Sequence, residues 1–221
     1  MNSSLIAALV FLLIFLLLVV ITQLIHIWGG VPADKSRKFL HVAGGALTLF
    51  FPAYLHSHWY VLGLCMAAFM FLCFTYYRKL LSSVHEITRS SVGSIIFPLP
   101  VYICFLVAEK TGDNMLLFYL PVSLLTISDT MAELGGRKWG HRSIMFFNKQ
   151  KTVAGSSCFA ISALVLSIIF IVFVFKIDVQ TSWLLIAAVT IVSTVAELFS
   201  LRGYDNLTVP LSTLLVLYLL T

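Results

Sequence analysis

The chain has 221 residues, 60% of them hydrophobic and only 10% charged, with a mean hydropathy of +1.03 and a formal net charge of +5. So few polar groups cannot cover a domain in water, so an integral membrane protein with the bilayer as its solvent is expected. The positive balance does not call for nucleic acid as a partner, because membrane topology accounts for where the cations sit.

No long linker, low-complexity stretch or internal repeat divides residues 1–221, and one domain is expected. The first apolar segment, roughly 4–26, has no basic residue before it, exceeds a signal-peptide core in length and lacks a small-x-small cleavage site. It reads as a retained transmembrane helix.

The second segment, 39–56, opens on ADKSRKFLHVAGG, where Arg37 and His41 are four residues apart and share a helical face. Two readings stand: interfacial cations beside a lone polar histidine, or an arginine for phosphate beside a histidine able to handle a proton. The third segment is 58–77; His56 and His58 at its start lack the further ligands a metal site needs. The fourth, 92–109, follows Glu86 and Arg89 and contains Pro98 and Pro100, which suggest a kink beside a cavity. Arg89 reads as an interfacial anchor or as a phosphate contact.

The fifth segment, 115–132, carries Asp129 directly after Met115–Ser128, a run without a charge. Asp129, Ala132, Gly136 and Gly140 are spaced by three, four and four residues and would share one face of a continuing helix. Small residues alone would make that face a packing stripe, but an ionisable group at the edge of a span is costly and faces a cavity or a partner. The functional reading places Asp129 on a divalent cation and a phosphate over bare glycine backbone. Magnesium suits it, since that ion takes one or two carboxylates together with substrate phosphates.

Lys149, Lys151 and Thr152 precede the sixth segment, 153–175. They read as interfacial lysines, or as an anion site at a helix N-terminus; the G-x-x-x-x-G-K-[ST] of a P-loop is absent. The seventh segment, 183–199, has Glu197 near its end, and the polar pair Asp205-Asn206 stands before a short last one, 207–221. That pair is either a turn or helix cap, with Pro210 early in the following helix, or a source of oxygen ligands near Asp129. Asn206-Leu207-Thr208 matches a glycosylation acceptor, but its expected cytoplasmic, membrane-hugging position argues against use. The four cysteines lie inside apolar segments without C-x-x-C spacing and read as buried small side chains.

These segments make an all-α polytopic transmembrane helical bundle of seven or eight spans. With the N-terminus outside, twelve of the fourteen basic residues fall on the cytoplasmic side, and only Lys110 and Lys176 remain outside. Asp34, Glu86, Asp129, Glu133, Glu197 and Asp205 join the cations there. Mixed charge on one face, reaching into the spans, reads as a site.

Five stretches together resemble the CTP-dependent lipid kinases that include phytol kinase, dolichol kinase and the yeast-type diacylglycerol kinase. They are SRKFLHVAGG (36–45), RSSVGSIIFPLP (89–100), SDTMAELGGRKWG (128–140), KTVAG (151–155) and AELFSLRGYDNLTVP (196–210). The Asp129–Gly155 stretch is also similar to CDP-diacylglycerol synthases. The resemblance implies transfer of the CTP γ-phosphate to a lipid hydroxyl at the cytoplasmic face, with Mg²⁺. It implies that Asp129 is the metal or catalytic carboxylate, with Lys38, His41 and Glu197 in the same catalytic group. Arg37, Arg89, Gly136, Gly140, Lys149, Lys151 and Thr152 would bind nucleotide or phosphate, and Asp205 and Asn206 would join Asp129 on the metal. TMAELGGRKWG is bulkier than the run many relatives carry at this place, which leaves Glu133 and Trp139 without an implied role. The acceptor would be a polyprenol, phytol or diacylglycerol in a bacterial plasma (inner) membrane. Two other functions compete: phosphatidate cytidylyltransferase, and an ion-coupled transporter, whose charges usually lie nearer the midplane.

Overall fold

A computed structural model describes residues 3–85, 92–144, 151–200 and 203–221. The named elements among them are all helical. In chain order they are α1 (Ser3–Ile27), α2 (Ala33–Thr48), α3 (Phe51–Tyr54), α4 (His58–Tyr77), α5 (Ser82–His85), α6 (Gly93–Ile96), α7 (Pro98–Lys110) and α8 (Leu116–Ser123). A π-helical turn over Leu124–Ser128 joins α8 to α9 (Asp129–Trp139). Then come α10 (Val153–Ile168), prolonged by a second π-helical stretch to Val174, α11 (Val179–Phe199) and α12 (Asp205–Leu220).

Five helical segments among the described residues are long and apolar enough to cross a membrane: Ser3–Ile27, His58–Tyr77, Gly93–Lys110, Val153–Val174 and Ser182–Phe199. The other segments expected to span, 39–56, 115–132 and 207–221, fall on α2 with α3, on α8 through the start of α9, and on α12. Position explains why α8 departs from the others. All its residues except Tyr119 are buried, so neighbouring helices rather than lipid surround it. Phe105 and Phe118 meet edge-to-face there, centroids 5.5 Å apart, in the middle of the apolar core. Peripheral α1 is the reverse, with Leu9, Leu13, Leu17 and Val20 all exposed. The four cysteines are free; Cys65 and Cys104 are buried as expected, whereas Cys73 and Cys158 are half-buried.

Side-chain contacts separate two ends of the bundle. At one end the backbone N–H of His58, opening α4, donates to Glu109 near the end of α7 (2.6 Å), and Asn114 reaches Thr221 (3.5 Å). The charged groups expected at the site collect at the other end: the start of α2, the beginning of α9, the loop before α10, the end of α11 and the start of α12. The 16-residue α12 connects the two ends, about 24 Å apart at a rise of about 1.5 Å per residue. The fourth segment is interrupted at Phe97, between α6 and α7, where Pro98 opens the second helix.

Candidate active site

Asp129 owes its setting to a change of helical register. Its backbone N–H donates to the carbonyl of Leu124, five residues back, rather than to Leu125 as α-helical pairing would require. The Leu125 carbonyl instead meets His41 Nε2 at 2.9 Å, which leaves Nδ1 as the acceptor nitrogen of the ring. His41 Nε2 also lies 3.6 Å from Asp129 Oδ2, and its ring packs edge-on against Phe97, between α6 and α7 (5.1 Å). One turn later on α2, Gly45 lies against Thr126 so closely that a Cβ would collide with it. That contact seats α2 on the π turn and sets His41 and Lys38 beside Asp129.

Lys38 Nζ donates to Asp129 Oδ2 at 2.6 Å and lies 3.1 Å from Glu133 Oε2. Glu133 continues to Arg137 (2.7 Å), one turn on in α9, and Arg137 to Asp34 of α2 (3.5 Å). Charges of alternating sign therefore run from the exposed rim inward to Asp129. A pair this sheltered is costly to break from one side, because an uncompensated charge is left behind.

The second cluster centres on Lys151. Its ammonium lies 2.5 Å from Glu197 Oε1 and 3.2 Å from Asp205 Oδ2, while the other oxygen of Glu197 accepts from Ser156 Oγ at 3.1 Å. Burial alone would lower the Lys151 pKa, but the carboxylates of Asp205 and Glu197 outweigh it and hold the group above the ordinary lysine value. Asp129 acts electrostatically on both Lys151 and Asp205, so the two clusters form one charged centre.

Residues 142–144 pair through the backbone with 151–153: Ile144 N–H donates to Lys151 O (3.2 Å) and Val153 N–H to Arg142 O (3.1 Å). Thr152 then caps α10, its hydroxyl accepting from Gly155 N–H at 3.1 Å; such a cap contributes about 1 kcal/mol. Gly155 is needed because α9 crosses here: a Cβ on it would lie 2.8 Å from the Ala132 carbonyl oxygen. Gly136 faces Thr152 and Gly155, and Gly140 faces Thr152 from beyond the end of α9. The small-residue face is a helix crossing, then, and it includes Gly135, which packs on Cys158 and was not in the expected set.

The structure thus brings together Asp129, Lys38, His41, Lys151, Thr152, Glu197 and Asp205. Arg37 lies one turn before His41, and both line an apolar cavity beside α2. Asn206 is buried with its amide nitrogen against Gly93 of α6, while its backbone N–H donates to Asp205 Oδ1 at 3.1 Å. Arg89 and Lys149 lie outside the described residues, as do Glu86 and Arg202. Glu133 and Ser156 were missed as partners. The signal for Glu133 was its place four residues after Asp129, on the same face. For Ser156 only the helix pairing reveals it.

Phytol kinase of Synechocystis sp. is 26% identical over 192 residues, covering 84% of this chain and 78% of that protein. The match supports membership of the polyprenol and lipid kinase family. No protein-family model matches the chain, and no solved structure does. A lipid kinase in an integral-membrane setting agrees with a charged centre at one end of an apolar helical bundle. Asp129 opens α9 at that charged end, and the buried, apolar α8 precedes it in the chain.

Proposed function

We propose that the protein transfers the γ-phosphate of CTP to the hydroxyl of a membrane lipid alcohol, phytol or a polyprenol in the first instance, at the cytoplasmic face. The observation that carries this reading is the Asp129–Lys38–His41 group at the polar end of an apolar bundle, with Lys151 beside it. The similarity to phytol kinase supports the acceptor class, and the sequence resemblance around Asp129–Gly155 supports the nucleotide.

Phosphoryl transfer depends chiefly on positioning and charge neutralisation. Lys151, held by Glu197 and Asp205, would meet nucleotide phosphates and exchange a carboxylate partner for them. Lys38 would take up the same task as Asp129 turns to the metal. The acceptor oxygen bonds to the γ-phosphorus, the bond from that phosphorus to the β-phosphate oxygen breaks, and CDP leaves. The hydroxyl proton passes to His41 Nδ1, the ring nitrogen left as acceptor. Glu197 serves as a positioning group, since both its oxygens are engaged.

The donor set fits magnesium. Among the described residues no three His, Cys, Asp or Glu side chains converge as a ready-made metal cage, and a Mg²⁺ held by one or two carboxylates plus phosphates needs none. Asp129 and Asp205 would hold it, and when bound it would neutralise charge on the β- and γ-phosphates.

The test uses purified protein, Mg²⁺, each of CTP, ATP, GTP and UTP, and a panel of phytol, undecaprenol, dolichol, diacylglycerol and phosphatidate. The expected products are CDP and a phosphorylated alcohol, with CTP the preferred donor. A CDP-lipid with pyrophosphate would instead establish the cytidylyltransferase reaction. Turnover with ATP alone would remove CTP from the account.

A further inference from the structure

Between α1, α2, α4 and the interrupted α6–α7 lies a cavity of about 100 Å³ whose walls are almost wholly apolar. Its polar lining comes from few side chains, and two of them, Arg37 and His41, stand on the face of α2 that leads to Asp129. His41 therefore belongs to both places, lining the cavity and lying 3.6 Å from the Asp129 carboxylate. The opposite wall is α4, where Leu64, Cys65 and Ala68 face in. Small residues and the break at Phe97–Pro98 leave the space unfilled.

We infer that this cavity receives the hydrocarbon chain of the acceptor alcohol next to its hydroxyl, and that Gly44 sets how bulky that chain can be. The inference rests on the lipid-kinase reading. The occupant is argued from polarity and size. An apolar cavity with a cation and a histidine in its lining matches a lipid with a single hydroxyl head. A cavity of about 150 Å³ lined by aliphatic and aromatic groups admits benzene, so a slightly smaller one has room for one chain rather than two. A single-chain prenol fits this better than diacylglycerol.

Gly44 lines the cavity, and a Cβ built on it meets nothing within 4 Å. No packing contact requires glycine here, and glycine inside a helix is unfavourable relative to other residues. Its neighbour Gly45 has the opposite standing, pressed against Thr126. A side chain at position 44 would occupy the cavity without disturbing the seat of α2 on the π turn.

The experiment photolabels purified protein with a long-chain prenol carrying a diazirine within the first isoprene unit, and maps the adducts by mass spectrometry. Adducts are expected on Leu64, Cys65 or Ala68 of α4. Gly44→Leu should reduce them severalfold, while Gly63→Leu, on α4 and also without a neighbour at its Cβ, should leave them unchanged. In turnover, Gly44→Leu should raise KM for the long prenol by about tenfold, the effect of displacing roughly two methylenes. Adducts confined to other helices, or an α4 adduct pattern indifferent to Gly44→Leu, would overturn the inference while leaving kinase activity standing. Adducts on α4 without transfer of phosphate to any alcohol would confirm the cavity and overturn the kinase reading. The wild-type adduct map decides the location even if Gly44→Leu does not fold.

Discussion

At the scale of single residues, Lys151 carries two tasks that can be separated. It compensates the buried Glu197, and in the proposed reaction it would also meet nucleotide phosphates. Lys151→Met leaves Glu197 buried with only Ser156 as partner, a loss of about 3 kcal/mol by the rule for one-sided removal of a buried pair. Adding Glu197→Gln removes the stranded charge, so thermal unfolding of the double variant in detergent should recover much of that loss. Activity with CTP should not recover. If it returns together with stability, Lys151 is a structural group and the nucleotide has another cation. Asp129 and Glu197 were legible in the sequence because a carboxylate at the edge of an apolar run has to have a reason. Glu197's partner Ser156 was not legible, since a serine in a span signals nothing until α10 and α11 are known to pack together.

At the scale of elements, the crossing of α9 and α10 positions both clusters, because Asp129 opens one helix and Lys151 precedes the other. Gly155 makes the crossing possible, with backbone rather than a yielding side chain standing where its Cβ would go. Gly155→Ala must push the helices apart, and such overpacking costs about 1–3 kcal/mol. A lowered Tm with a matching fall in activity is expected. Gly63→Ala, into open space, should be neutral or stabilising by up to about 1 kcal/mol. Equal effects from the two substitutions would contradict this account of the crossing. The spacing of Ala132, Gly136 and Gly140 announced a close-packed face, but not that Gly135 shares it or that Gly140 lies past the helix end. The π turn was invisible in the sequence. It depends on which carbonyl each N–H chooses, and that choice is decided by α2 pressing on Thr126 and Leu125.

At the scale of the whole molecule, apolar segments and charge placement foretold the helical bundle and the gathering of ionisable groups at one end. The length of the individual helices followed less well. The central α8 is sheltered by its neighbours and does not need the long, uniform apolarity of a lipid-facing span. Orientation is a separate prediction, resting on the bias of basic residues. In a cysteine-free background, Lys110→Cys should react with a membrane-impermeant maleimide on intact cells, and Arg142→Cys only after permeabilisation. The reverse pattern would place the charged centre outside and remove its access to cytosolic nucleotide.

The proposed transfer of the γ-phosphate to a lipid at Asp129 can be followed with a labelled nucleotide. Purified protein is given CTP labelled at the γ-phosphate, Mg²⁺ and phytol, and the label is followed into the organic phase for the wild type and for Asp129→Asn. The account predicts labelled phytyl phosphate from the wild type and a rate lower by at least about 10²-fold from the variant, the scale expected when a key electrostatic group is lost, with the variant still folded. Label leaving as pyrophosphate, or equal transfer by Asp129→Asn, would contradict it.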